Sequence, residues 1–324
     1  MKTIAIKQAG GADQLKVIEL DQPKPQADEL LIKVEAAGIN RLDLLTRERQ
    51  TDHPEAVRLG VEIAGVVVET AKDTNFSIGD RVMGLVENGG YSEYAVIPAN
   101  RAMPIPAALS FVEAAAIPEV FQTAYQTLFW LGNLQENESV LIHAGASGVG
   151  TAAIQLAKQL RNAQVIVTAG SKRKLDFCKE LGADVLINYK EQAFDQEIMS
   201  ATNNKGVDLI LDFVGASYWD MNLASIKTDG RWVVIGTLGG SEVKQFTLAA
   251  LMQKRIQLTG TLLTPRDNAY KSQLATDLHR DTHDLFEKGM IKPIVDTTFE
   301  MADVAKAHQY MEANKNIGKI ILTI

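Results

Sequence analysis

The sequence predicts an α/β protein in two parts, a compact β-rich unit followed by a parallel, doubly wound sheet. Two observations carry this. The first hundred or so residues are short alternating runs, such as 30–34 and 65–68, broken by Pro23, Pro25, Gly60, Gly79, Gly84, Gly89 and Gly90. After Pro118 the rhythm changes to buried strand, turn and helix, repeated.

Taken in order, the opening runs read as a compact all-β unit. The strand patterns that follow lie at 139–143, 165–168, 185–188, 209–214 and 232–235. Helical patterns separate them, with Leu181 and Gly182 as a helix stop and Asp229 and Gly230 as a turn. The last sixty or so residues carry a helix at 268–289, Pro293, a second helix at 301–314 and a closing strand at 319–324. No internal repeat or low-complexity segment interrupts them.

Composition narrows the function classes. With 324 residues, 46% hydrophobic and 23% charged, the chain can bury two ordinary cores. Its 33 basic and 40 acidic residues give a net charge of -7 with no basic block, which argues against nucleic acid or an anionic membrane as partner. A single cysteine, Cys178, rules out an intrachain disulfide and any multi-cysteine metal cage. The start has no long apolar region and no stretch suits a bilayer, so a cytoplasmic protein is expected.

The most informative stretch is 139–158, SVLIHAGASGVGTAAIQLAK. An apolar strand runs into a glycine-rich turn that opens a helix, an arrangement that presents free backbone N–H groups and the helix dipole to a pyrophosphate. Gly145 is expected to allow the tight turn and Gly150 the close approach of helix to strand, while Ser147 replaces the middle glycine of GxGxxG. Without its flanking strand and helix, the string would equally suit a loop with no ligand. An NAD enzyme needs an Asp or Glu roughly twenty residues on to hold the ribose diol. Here the strand ends in Gly170-Ser171-Lys172-Arg173-Lys174. The missing acid and the clustered base favour a 2'-phosphate, hence NADPH, although such a run can also be a solvated helix turn.

These residues resemble a known family over nearly the whole chain. HAGASGVG at 143–150, GASYW at 215–219, GRWVV at 230–234 and MEANKNIGK at 311–319 are similar to the tumour-suppressor-inducible quinone oxidoreductases, zinc-free members of the medium-chain dehydrogenase/reductase superfamily. The resemblance implies a GroES-like catalytic domain from 1–117 and 262–324 around a Rossmann NADP(H)-binding domain at 118–261. It implies that Lys174 and Tyr189, with Ser171 beside them, hold the adenosine 2'-phosphate. Ser147, Gly148 and Val149 match the pyrophosphate turn. Asn316 matches an asparagine near the cofactor, or alternatively a helix C-cap. Thr123 is expected against the nicotinamide half, and Leu238 and Leu263 complete the expected cofactor set.

The departures from zinc-dependent relatives point to mechanism. Those relatives carry a cysteine in the segment that here reads AGINRLD at 37–43, and Gly-His-Glu where this chain has Gly60-Val61-Glu62. His279 and His283, four apart on a helical pattern, read as surface histidines. No metal is expected. Losing zinc removes a Lewis acid worth several kcal/mol, so an already electron-poor acceptor such as a quinone is the expected substrate. Asn40 is the candidate catalytic residue, donating to the substrate carbonyl or fixing the ribose, with water supplying the proton. No tyrosine follows it in 44–50 to act as an acid, and no motif types the pocket lining between Asn40 and Pro54. Reduction of an alkenal or enone double bond is the alternative, and a non-catalytic NADPH sensor or structural protein a second. The stretch 257–263 reads as an edge strand through which two copies would form a homodimer.

Overall fold

A computed structural model describes residues 1–49, 57–70, 72 and 74–324. The chain divides into two compact units, one of Met1–Gln122 with Arg266–Ile324, the other of Thr123–Pro265.

The first unit is organised by the long strand Glu29–Ile39, whose apolar run ELLIKVEAAGI is buried over most of its length. Three antiparallel neighbours cover its edges. Glu62–Glu69 runs along one, while Tyr94–Pro98 and Lys319–Thr323 share the other, against its first and second halves. Arg81–Leu85 and Met103–Pro104 extend the sheet on one side, and Val295–Glu300, parallel to Lys319–Thr323, on the other. Ile4, Ile32, Ile63, Tyr91, Val304 and Ile320 contribute to its core. Register then positions chemistry. Ile39 lies opposite Ile320 and Ala37 opposite Ile63, so Asn40, Lys319 and Glu62 meet at one end of three strands.

The opening segment is not wholly β. A helix, Arg41–Glu48, follows the long strand directly. Asp43 nucleates it, because its carboxylate accepts from the Asn40 N–H at 2.8 Å while the Asp43 N–H donates to the Asn40 carbonyl at 3.0 Å. Of the expected pocket lining between Asn40 and Pro54, residues 50–54 lie outside the described residues.

A second correction concerns the histidines. His279 and His283 sit on the helix Asn268–Glu287, their ring centroids 4.7 Å apart. They are half-buried rather than surface residues, because they line a small cavity with Met83, Met103 and Phe286. Among the described residues, no group of three or more His, Cys, Asp or Glu side chains could hold a metal ion.

The second unit is a six-stranded, all-parallel sheet. In spatial order its strands are Val185–Asn188, Gln164–Ala169, Ser139–Ile142, Val207–Asp212, Ile226–Val234 and Gln257–Gly260. Numbered along the chain this is 3-2-1-4-5-6, the doubly wound order that reverses between the first and fourth strands. The central strands are mostly apolar because helices cover both faces of such a sheet. Leu141, Ile166, Ile210 and Trp232 are fully buried in its core.

Asp229 and Gly230 behave differently from the expected turn. They lie within Ile226–Val234, where the register jumps from Val207 opposite Ile226 to Leu209 opposite Arg231. Asp229, at φ 63°, takes the left-handed conformation there, so the turn signal is absorbed as a bulge inside a continuous strand. Among the described residues no helix is long and apolar enough to cross a membrane.

Candidate functional site

The turn after Ser139–Ile142 has a shape that could hold a phosphate. Its left-handed residue is Ala144, at φ 50°, and not Gly145 as the motif suggests. Gly145 is needed for closeness instead, since a Cβ there would sit 2.9 Å from the Val167 Cβ. At Gly150 a Cβ would approach the Ala144 and Gly145 carbonyl oxygens to 2.5 and 2.6 Å, so the helix presses on the turn rather than on the strand. Ser147 caps the helix Gly148–Arg161 by accepting from the Gly150 N–H at 3.0 Å. That explains a serine where the motif has glycine. Gly148 and Val149, at the first two helical positions, have no acceptor within the helix for their N–H groups, which leaves these donors for a pyrophosphate oxygen.

Beyond the second strand the chain turns at Gly170 into the helix Lys172–Glu180, capped by Ser171, whose Oγ accepts from the Lys174 N–H at 3.4 Å. Tyr189 follows the third strand, and its hydroxyl lies 2.6 Å from where a Cβ on Gly170 would be. Tyr189 therefore stands against Gly170, next to Ser171, while Lys174 lies in the first turn of the helix that Ser171 caps. Lys190 joins them, its Cε 3.2 Å from the same point. Sequence reasoning missed Lys190, although its adjacency to Tyr189 was the available signal. Lys172 instead pairs with Asp176 one turn on, at 2.7 Å, as an exposed helix ion pair.

Under the turn lies a buried polar network. The His143 ring meets Thr168 Oγ1 at 2.9 Å and Asn222 Oδ1 at 2.7 Å, and burial holds its pKa below the usual histidine value. Asn222 and Trp232 both donate to Asp212, which also accepts from the Val214 and Gly215 N–H groups. Every partner is a protein group, so this network anchors the C-terminal ends of the first and fourth strands.

The remaining expected cofactor residues are scattered. Thr123 is buried on the helix Pro118–Tyr125, its carbonyl accepting from Thr127 Oγ1 at 2.7 Å. Leu238 is 67% exposed. Leu263 is buried, while its neighbour Leu262 faces solvent. Asn316 belongs to the first unit, where its amide donates to the Gly318 carbonyl at 2.8 Å. It is no helix cap, because the helix Val304–Glu312 ends at Ala313 and the left-handed residue after it is Asn314.

In the first unit, Asn40 is 8% exposed and its amide is held at both ends. Nδ2 donates to Glu62 Oε1 at 2.8 Å, and Oδ1 accepts from Lys319 Nζ at 2.6 Å. Lys319 also forms a buried ion pair with Glu62 at 2.6 Å. Next to this cluster Asp43 accepts from the Tyr91 hydroxyl at 2.8 Å and the Gly60 N–H at 3.0 Å. Burial pushes the Asp43 carboxyl up to about 6, against the pull of these hydrogen bonds and of Lys319.

Comparison with known proteins accords with this geometry. Residues 26–107 match the alcohol dehydrogenase GroES-like domain, and residues 148–278 the zinc-binding dehydrogenase family. The human synaptic vesicle membrane protein VAT-1 homolog is 32% identical over 340 residues, covering 99% of this chain and 86% of that protein. The rat quinone oxidoreductase is 29% identical, covering 100% and 98%. The chain spans only 14% of highly-reducing polyketide synthase 1 from Aureobasidium melanogenum, to which it is 34% identical. Among solved structures, the Escherichia coli quinone oxidoreductase complexed with NADPH superposes with a TM-score of 0.90 at 29% identity over the whole of both chains. The CurK enoyl reductase gives 0.86 at 28%, covering 99% of this chain and 98% of that one. With both domain families matched and an ammonium and an amide beside Glu62, this chain belongs to the medium-chain dehydrogenase/reductase superfamily of oxidoreductases, among its zinc-free, quinone oxidoreductase-like members.

Proposed function

We propose that this chain is an NADPH:quinone reductase that works without zinc. The observation that carries the reading is the approach of the Tyr189 hydroxyl and of Lys190 to Gly170, next to Ser171 and to the helix turn that bears Lys174, residue types that suit a 2'-phosphate. NADPH, when bound, supplies the hydride. The Gly148 and Val149 N–H groups hold its pyrophosphate, and Ser147 keeps the helix end capped so that they stay aimed outward. Asn40 donates from Nδ2 to the acceptor carbonyl, where negative charge develops as the hydride arrives, and solvent water delivers the proton. A quinone suits this machinery because it needs orientation and one hydrogen bond rather than a Lewis acid.

A second reading, reduction of a conjugated double bond, draws support from the likeness to the CurK enoyl reductase. The deciding experiment titrates NADPH and NADH by fluorescence on the parent chain and Lys174→Glu, then follows NADPH oxidation with ortho-quinones and with conjugated alkenals. Preferential NADPH binding that Lys174→Glu weakens about 100-fold or more, with quinone-dependent turnover, is expected. Alkenal turnover alone would favour the second reading. Tight binding with neither turnover would indicate a non-catalytic NADPH binder.

We also propose a homodimer built through the edge strand Gln257–Gly260. Met252, Leu258 and Leu262 are exposed on and beside that strand and form its apolar rim.

A further inference from the structure

We propose that Lys319 and Glu62 are positioning residues for this reaction, because together they lock the Asn40 carboxamide into the one orientation that offers an N–H to the substrate. The catalytic half of the proposal rests on the reading of function above.

The lock follows from donor and acceptor chemistry. An ammonium only donates and a carboxylate only accepts, while a carboxamide does one at each end. The three protons of Lys319 go to the Ile39 carbonyl at 2.8 Å, Asn40 Oδ1 at 2.6 Å and Glu62 Oε1 at 2.6 Å. Asn40 Oδ1 must therefore face Lys319 and Nδ2 must face Glu62. A half-turn of the amide would set its oxygen against a carboxylate and its NH2 against an ammonium, two repulsions with the charges buried. The ambiguity that usually attends an amide is removed by its neighbours.

The remaining valences narrow the role further. Glu62 Oε2 accepts from the Glu119 N–H at 2.8 Å, which holds the carboxylate in place, and the carboxylate fills the space that Gly38 leaves by having no side chain. The Asn40 N–H is held by Asp43, which fixes the root of the side chain. One Nδ2 hydrogen is taken by Glu62 at 2.8 Å. Among the described residues the other has only the Gly38 carbonyl at 3.4 Å, a long and weak contact, and is the hydrogen left for a substrate oxygen. A buried ion pair is seldom more stable than an apolar pair of the same shape, so stability alone gives little reason for this one.

The test uses the full chain. Lys319→Met alone strands a buried carboxylate and can unfold the unit, so the deciding variant combines Lys319→Met with Glu62→Gln, removing both charges at similar volume. The carboxamide that replaces the carboxylate both donates and accepts, so it can pair with Asn40 in either orientation, which releases the lock. NADPH affinity and the quinone KM should stay within about threefold of the parent while kcat falls about tenfold or more. Independently of turnover, the Asn40 side-chain NH2, assigned by its loss in Asn40→Ala, should exchange with solvent about tenfold more slowly in the parent than in the double variant. A folded double variant with parental kcat and parental amide protection overturns the proposal. Slow amide exchange in a parent chain that reduces neither quinones nor alkenals overturns the reading of function and the catalytic half with it, while leaving the lock established.

Discussion

The Asp43 carboxyl makes the stability of the first unit depend on pH in a direction opposite to most carboxylates. Its pKa rises from 3.8 to about 6 because it is buried. A shift of roughly two units corresponds to about 3 kcal/mol. The folded state binds the proton more tightly than the unfolded chain. The contribution is therefore fully present below about pH 4 and is lost as pH rises through 6. Between pH 4.5 and 7.5 about 2 kcal/mol of it should disappear. Asp43→Asn removes the titration. It also exchanges an acceptor for an NH2 that must face either the Gly60 N–H or the Asn40 N–H and Tyr91 hydroxyl together, at a cost of about 1–3 kcal/mol that does not vary with pH. Tryptophan fluorescence would follow the wrong part of the molecule, since Trp130, Trp219 and Trp232 all lie in Thr123–Pro265. Hydrogen exchange of the Glu29–Ile39 amides, measured across that range in parent and variant, reads the correct unit. The parent's advantage over Asp43→Asn should shrink by about 2 kcal/mol as pH rises. A difference constant to within about 0.5 kcal/mol would refute the reasoning.

Gly150→Ala should force the helix away from the turn by setting a methyl 2.5 Å from the Ala144 carbonyl oxygen. A cost of about 1–3 kcal/mol is expected, with a Tm several degrees lower by tryptophan fluorescence and NADPH affinity reduced about tenfold. Light scattering should give a mass near twice the 35.4 kDa of one chain, and Leu258→Lys should shift it toward a single copy. A parental mass near 35.4 kDa would remove the edge-strand dimer.

Much of the second unit was legible in the sequence, for a physical reason. Strands covered on both faces are mostly apolar, and the glycine turn after Ile142 announces its helix through spacing that no other element shares. The helix Arg41–Glu48 was harder to see. It is short, and the residues that start it, Asn40 and Asp43, drew attention as chemistry rather than as a cap. Its signal was the Asn-x-x-Asp spacing itself. Asn40 could be picked out as a candidate, but its partners could not. Lys319 stands in a polar tail, 279 residues away, and nothing local reveals that register will set it against Asn40. Lys190 differs in that its place next to Tyr189 was a local signal, although its approach to Gly170 follows from the pairing of the third strand with the second. At 229–230 a correct local signal served a different purpose, because the strand Ile226–Val234 itself took up the extra residues as a bulge.

The pairing of Lys319–Thr323 with the centre of the first sheet also has a bearing on biosynthesis. The strand Glu29–Ile39 leaves the ribosome some 280 residues before the segment that completes one of its edges. At about 5–20 residues per second it waits on the order of tens of seconds with that edge open and Glu62 without its counter-charge. The second unit emerges whole in the interval. The first cannot close until its last strand arrives, so the nascent chain is most exposed to mispairing over this window, and chaperone occupancy should concentrate there.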